Sequence, residues 1–82
     1  MNRESQAQNL LDSIMEEIAS IEIGEPWTEE LILTIKPNGR AVAELRDFGG
    51  TPTHDHVRKI IQRQRWPRGE HTLILRRQLV LH

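Results

Sequence analysis

Apolar residues Ala7, Leu10, Leu11, Ile14, Met15, Ile18 and Ile21 recur at helical intervals and fall, at 100° per residue, within an arc of roughly 140°. One buried helix face is expected. Ser5 followed by Gln8 reads as its capping box, and Gly24 with Pro26 as its stop. The subset Ala7, Leu11, Ile14, Ile18 and Ile21 also has coiled-coil spacing, but it lasts only about two heptads, so the reading is an intramolecular core helix rather than a dimer seam.

After Pro26 the period changes from helical to alternating. Leu31, Leu33 and Ile35 point one way and Ile32 and Thr34 the other; beyond Pro37-Asn38-Gly39, Ala41, Ala43 and Leu45 alternate with Val42, Glu44 and Arg46. Pro37 presets a turn φ and Gly39 accepts the left-handed conformation of a three-residue loop. A hairpin pairing 29–36 with 40–46 follows, and then a Gly-rich bend in which Phe48 plugs the core. Thr51 and Thr53 are candidate caps for a second helix with Pro52 at its first position. That helix buries Val57, Ile60, Ile61 and the stem of Gln64, and is expected to end near Arg65 because Pro67 disfavours helical geometry at Trp66. A last strand, 71–81, alternates through Leu73, Leu75 and Leu79, with Ile74 and Val80 on its reverse.

The element order is α-β-β-α-β in one α+β domain spanning 1–82. Each helix has one apolar stripe and each strand one mainly apolar side, so a three-stranded sheet with both helices on one face is expected. The last strand can lie parallel beside the second or antiparallel beside the first, and the sequence leaves both open. Either order leaves a strand edge able to extend the sheet with another subunit.

Size and charge bear on function. A chain of 82 residues buries only a little over ~60% of its open-chain surface, so stability is marginal and burial in a partner or dimer would help. Formal charge is −1 with a pI of about 6.4. Residues 1–53 hold four bases against ten acids, a net −6, while 54–82 hold seven against two, a net +5. Such asymmetry reads as a basic surface for an acidic partner, or as two halves that neutralise each other.

The absence of Cys removes disulfides, thiolate nucleophiles and Cys-based zinc sites, and fits a reducing cytoplasm. No apolar run is long enough for a signal peptide or a membrane span, so neither export nor membrane insertion is expected. Ser5, Ser13 and Ser20 lie on the first helix without a nucleophile elbow. Asp47-Phe48-Gly49 spells the kinase metal tripeptide but lacks the rest of that machinery. Gly49-Gly50-Thr51 lacks the P-loop lysine pattern and reads as a turn before a cap. His54-Asp55-His56 has metal-ligand chemistry, yet positions i and i+2 of a helix diverge, so a surface helix start is expected, with Asp55 favoured by the helix dipole. No catalytic residue, metal or cofactor is expected.

The remaining feature is basic. Arg58, Lys59, Arg63 and Arg65 share the outer face of the second helix, Trp66 and Arg68 follow in a bend, and Arg76 and Arg77 lie in the last strand. These residues suit a protein partner, or phosphate forks and base stacking in a nucleic-acid binder. Trp66 beside Pro67 also fits a core lid, and Trp27 a plug at the other end of the core. The pI lies far below the value above ~9 of a dedicated nucleic-acid binder. The leading reading is therefore a small non-enzymatic protein-interaction module whose acidic first helix, with Asp12, Glu16 and Glu17, and basic second helix present opposite charges, and which self-associates or binds a larger protein. Nucleic-acid binding through the basic set is the alternative.

Overall fold

Asn2 caps the first helix: its Oδ1 accepts the Ser5 amide at 2.7 Å, so α1 runs Arg3–Ala19 and Ser5 is an interior residue rather than the cap expected of it. Asn is as good a cap as Ser, and starting at Asn2 satisfies one more free amide at the same spacing. At its other end Ser20 closes the helix through backbone bonds to the last turn, ahead of the Gly24 and Pro26 expected to stop it. The computed structural model describes residues 2–21, 27–45 and 52–81, without the side chains of Trp27, Pro52, Thr53 and Leu81. The expectations placed on Gly24, Pro26, Arg46, Phe48, Thr51 and the Asp47-Phe48-Gly49 and Gly49-Gly50-Thr51 motifs, like those on the Trp27 ring and the Thr53 cap, lie outside the described residues.

The hairpin forms as its alternation requires. Strand β1 (Trp27–Ile35) pairs antiparallel with β2 (Ala41–Leu45), Leu33 opposite Ala43. Lys36 and Arg40 close the turn, the Lys36 amide donating to the Arg40 carbonyl at 2.8 Å and the Gly39 amide to the Lys36 carbonyl at 2.9 Å. Gly39 takes φ +86°, the left-handed residue of a three-residue loop. Helix α2 (Pro52–Gln62) follows, and strand β3 (Leu73–Leu81) lies antiparallel beside β1, giving the order β2-β1-β3. That settles the strand order left open by the sequence. β3 starts at Leu73 rather than residue 71, because its first partner is Ile35, where β1 enters the turn.

α2 ends at Gln62, three residues before the expected Arg65. Its last carbonyls are satisfied locally: the Trp66 indole donates to the Ile61 carbonyl at 2.8 Å and the Gln64 amide side chain to Ile60 at 3.1 Å. The chain therefore turns back early to bring the indole inward, where Trp66 is 4% exposed. A helix continued to Arg65 would carry that ring away from these acceptors.

α1 packs over β3 and α2 over β2, both on one face of the sheet. Between them lie Ala7, Leu11, Ile14 and Ile18, then Leu31, Leu33, Ile35, Ala43 and Leu45, then Val57, Ile60, Ile61, Trp66, Leu75 and Leu79, all buried. The α1 stripe with coiled-coil spacing is thus spent inside the domain, as an intramolecular core helix requires. Leu10, Met15 and Ile21 pack half-buried at its margin. The result is a small compact α+β domain with one covered and one uncovered sheet face. Among the described residues, no helix is long and apolar enough to cross a membrane.

Among the described residues, two polar ones sit within this core. His54 and Glu29 are 1% and 3% exposed, with Nε2 and Oε2 bonded at 2.9 Å. The expected surface helix start is therefore wrong at His54. Its position three residues before Val57 puts it on the apolar stripe of α2, and Glu29 precedes Leu31 by two on the inward face of β1. Each provides the polar partner that the other requires when buried.

Candidate functional site

The basic set does not form one surface. Arg77 faces the helices, opposite Leu31, and its guanidinium donates to Asp12 at 2.5 Å and to Gln8 at 2.6 Å on α1. Arg76, one residue back, points to the other side of the sheet and is exposed. Because α2 ends at Gln62, Arg63 and Arg65 lie past the helix whose outer face they were expected to share, and Arg63, in the turn that follows, pairs with Glu17 of α1 at 2.5 Å. Arg58 lies 3.6 Å from Asp55 and donates to the Ala43 carbonyl at 3.5 Å. Lys59 is exposed on α2, and Arg65 and Arg68 are exposed in the link that follows it. Trp66 is in the core, so its ring is withheld from any base. Acids of α1 are interleaved with the bases of α2 and β3, which is the neutralising arrangement rather than a continuous phosphate-binding face.

His54 and Glu29 have the chemistry of an oriented base, but both side chains are 1% exposed, although Glu29 borders a shallow cleft of about 400 Å³ with Thr28, Glu30, Arg76, Arg77 and Gln78. His56, two residues on, is exposed, so the two imidazoles diverge. Among the described residues, no group of three or more His, Asp or Glu is placed to hold a metal ion.

The uncovered face of the sheet is the largest feature missed in the sequence. Strand pairing fixes its rows: Val42, Thr34 and Ile74 lie side by side, then Glu44, Ile32 and Arg76, then Glu30 beside Gln78, then Thr28 beside Val80. Ile74, Val80 and Val42 are 60%, 49% and 41% exposed, and Ile32 and Thr34 are half-buried. Glu44 and Arg76 flank Ile32 from the two outer strands. Their backbones lie two strand spacings, about 10 Å, apart, and among the described residues no ion pair joins them. The signal was present in the sequence, since Ile32, Ile74 and Val80 had been placed on the reverse of their strands.

A second feature is a cleft of about 950 Å³ at the hairpin end of the molecule, lined by Lys36, Arg40, Arg65, Arg68 and their neighbours. Arg3 fixes its walls. From the start of α1 its guanidinium donates to Pro67 at 3.1 Å, to Lys36 at 3.2 Å and to the His71 carbonyl, tying the turn to the link. The Gly69 amide adds a bond to the Pro37 carbonyl at 3.1 Å. Gly69 admits this arrangement because a Cβ there would lie 2.5 Å from the Arg3 side chain. Comparison of this chain with protein-family models, curated proteins and solved structures finds no match.

Proposed function

We propose that this chain is a non-enzymatic protein-interaction module that self-associates through the uncovered face of its sheet. The observation that carries the reading is the row Glu44, Ile32, Arg76 on that face. A two-fold axis lying between two stacked sheets and parallel to β1 places β2 of one copy over β3 of the other. Glu44 then meets Arg76 of the second copy on both sides, Ile32 meets Ile32, and Val42 meets Ile74. The patch is complementary to itself, as a closed dimer requires. Sheets stacked in this way cross at about 30°, which the native twist supplies.

Charge supports a surface away from the helices. Asp12 and Glu17 of α1 are engaged by Arg77 and Arg63 of the same chain, so opposite helix charges are partly spent internally. The face is small, roughly 30 by 14 Å from strand length and spacing. That is about 400 Å² per copy and about 800 Å² in all, below the ~1,200 Å² of stable complexes, so association belongs in the micromolar range. Sedimentation equilibrium over a dilution series tests the reading. Wild type should shift from dimer to monomer with dilution, whereas Ile74→Asp should stay monomeric and fully folded; a wild-type mass that is monomeric throughout refutes it.

A further inference from the structure

Eight of the eleven bases of this chain fall into two groups by what they touch. Arg3, Arg58, Arg63 and Arg77 are each engaged by carbonyls or carboxylates. Lys36, Arg40, Arg65 and Arg68 line the cleft beside the hairpin turn, with three amide side chains, Asn38, Gln62 and Gln64, and no carboxylate among the described lining residues. On a chain whose formal charge is −1, four cations gathered without an acid make a local field that concentrates anions. The site is also built. Besides the Arg3 ties, Asn38 Oδ1 accepts the Arg40 amide at 3.0 Å, and Gly39 lies so near the link that a Cβ would stand 2.9 Å from the Trp66 carbonyl.

We infer that this cleft binds a run of phosphates, the charge being read without the bases or groups attached to it. Two cations come from the turn and two from the link, so a ligand lying between these segments meets positive charge from both. A phosphate chain carries its charge along its own axis and serves both segments at once, and three of the four cations are Arg, whose forks match phosphate oxygens. No ring is available for stacking, because Trp66 at the wall is 4% exposed, so recognition is independent of sequence. The cleft shares only Val42 with the uncovered sheet face, and binding there requires no second copy.

The test is fluorescence anisotropy of a labelled single-stranded thymidylate dodecamer, with inorganic tripolyphosphate and an octaglutamate peptide as competitors. With about four phosphates neutralised at about 0.7 counterions each, affinity should fall roughly fifty-fold as salt rises from about 50 to about 200 mM. Arg65→Glu with Arg68→Glu, and separately Lys36→Glu with Arg40→Glu, should each weaken binding by roughly tenfold or more at low salt. The second pair keeps the test alive should the first fail to fold. Lys59→Glu with Arg63→Glu changes the net charge equally on the outer face of α2 and should leave affinity within about twofold. Per phosphate, tighter binding of the dodecamer assigns a nucleic-acid backbone, and tighter binding of tripolyphosphate a free oligophosphate. The inference is overturned by no binding at low salt, by octaglutamate competing as well as tripolyphosphate, or by loss of binding in the α2 pair in place of the cleft pairs.

Discussion

The two faces of this sheet are drawn from the same three strands and the same period of two, yet they have different chemistry. The covered face presents Leu31, Leu33, Ile35, Ala43, Leu45, Leu75 and Leu79 to the helices, none more than 7% exposed. Its charge at position 77 is neutralised by Asp12 of α1. On the uncovered face, the apolar residues Ile32, Val42, Ile74 and Val80 are mixed with Thr28, Thr34, Glu30, Glu44, Arg76 and Gln78. A sheet face that meets only water is ordinarily polar along each strand. Apolar residues in three of the four rows, with one acid and one base flanking Ile32, are the departure from that pattern on which the proposed self-association rests.

Substitutions that sharpen this contrast differ in size. Leu33→Ala, at the centre of the covered face and fully buried, should lower unfolding free energy by about 3–5 kcal/mol. That is a large share of the roughly 4–12 kcal/mol available to a domain of this length. Ile74→Ala on the other face, at low protein concentration, should stay within about 0.5 kcal/mol of wild type. Urea unfolding followed by tryptophan fluorescence measures both, and equal losses would erase the distinction between the faces.

Next in size is the polar pair within the core. His54→Ala removes the bond to Glu29 and leaves a void, for an expected loss of about 2–4 kcal/mol. His56→Ala, two residues on and exposed, should cost less than about 0.5 kcal/mol. Similar melting temperatures for the two variants would show that His54 is not buried in solution. The smallest effect belongs to the helix surface: Arg63→Glu breaks the exposed pair with Glu17 and should cost at most about 1 kcal/mol.

Much of this architecture is legible along the chain, because helical and alternating periods are set locally. The α1 stripe, the hairpin with Gly39 at its left-handed position, and the α-β-β-α-β order all follow from spacing. What escaped is decided by partners distant in sequence. Ser5 reads as the cap because it precedes the apolar run, whereas Asn2 caps the helix one turn further back. His54 reads as surface when weighed for its polarity, although its spacing from Val57 puts it inside; Glu29, 25 residues earlier, supplies a buried partner that makes its burial tolerable. Arg77 breaks the Leu73, Leu75, Leu79 alternation for the same reason, with its counter-charge on α1. The early end of α2 depends on where the Trp66 indole finds its acceptor. The candidate surfaces were less legible still. The basic residues were grouped by proximity in sequence, while the fold sends Arg76 and Arg77 to opposite faces and gathers Arg65 and Arg68 with Lys36 and Arg40 from the hairpin.

The measurement that bears most directly on self-association through the uncovered face is a charge-exchange cycle by sedimentation equilibrium. Glu44→Arg and Arg76→Glu each place like charges over one another in the two-fold pairing, so each alone should weaken the dimer by roughly tenfold or more. The double variant Glu44→Arg with Arg76→Glu restores opposite charges in the same positions and should dimerise within about threefold of wild type. Loss of dimer in both single variants with recovery in the double is the result expected. A double variant as monomeric as its parents, or single variants that dimerise like wild type, would contradict the pairing of the two faces.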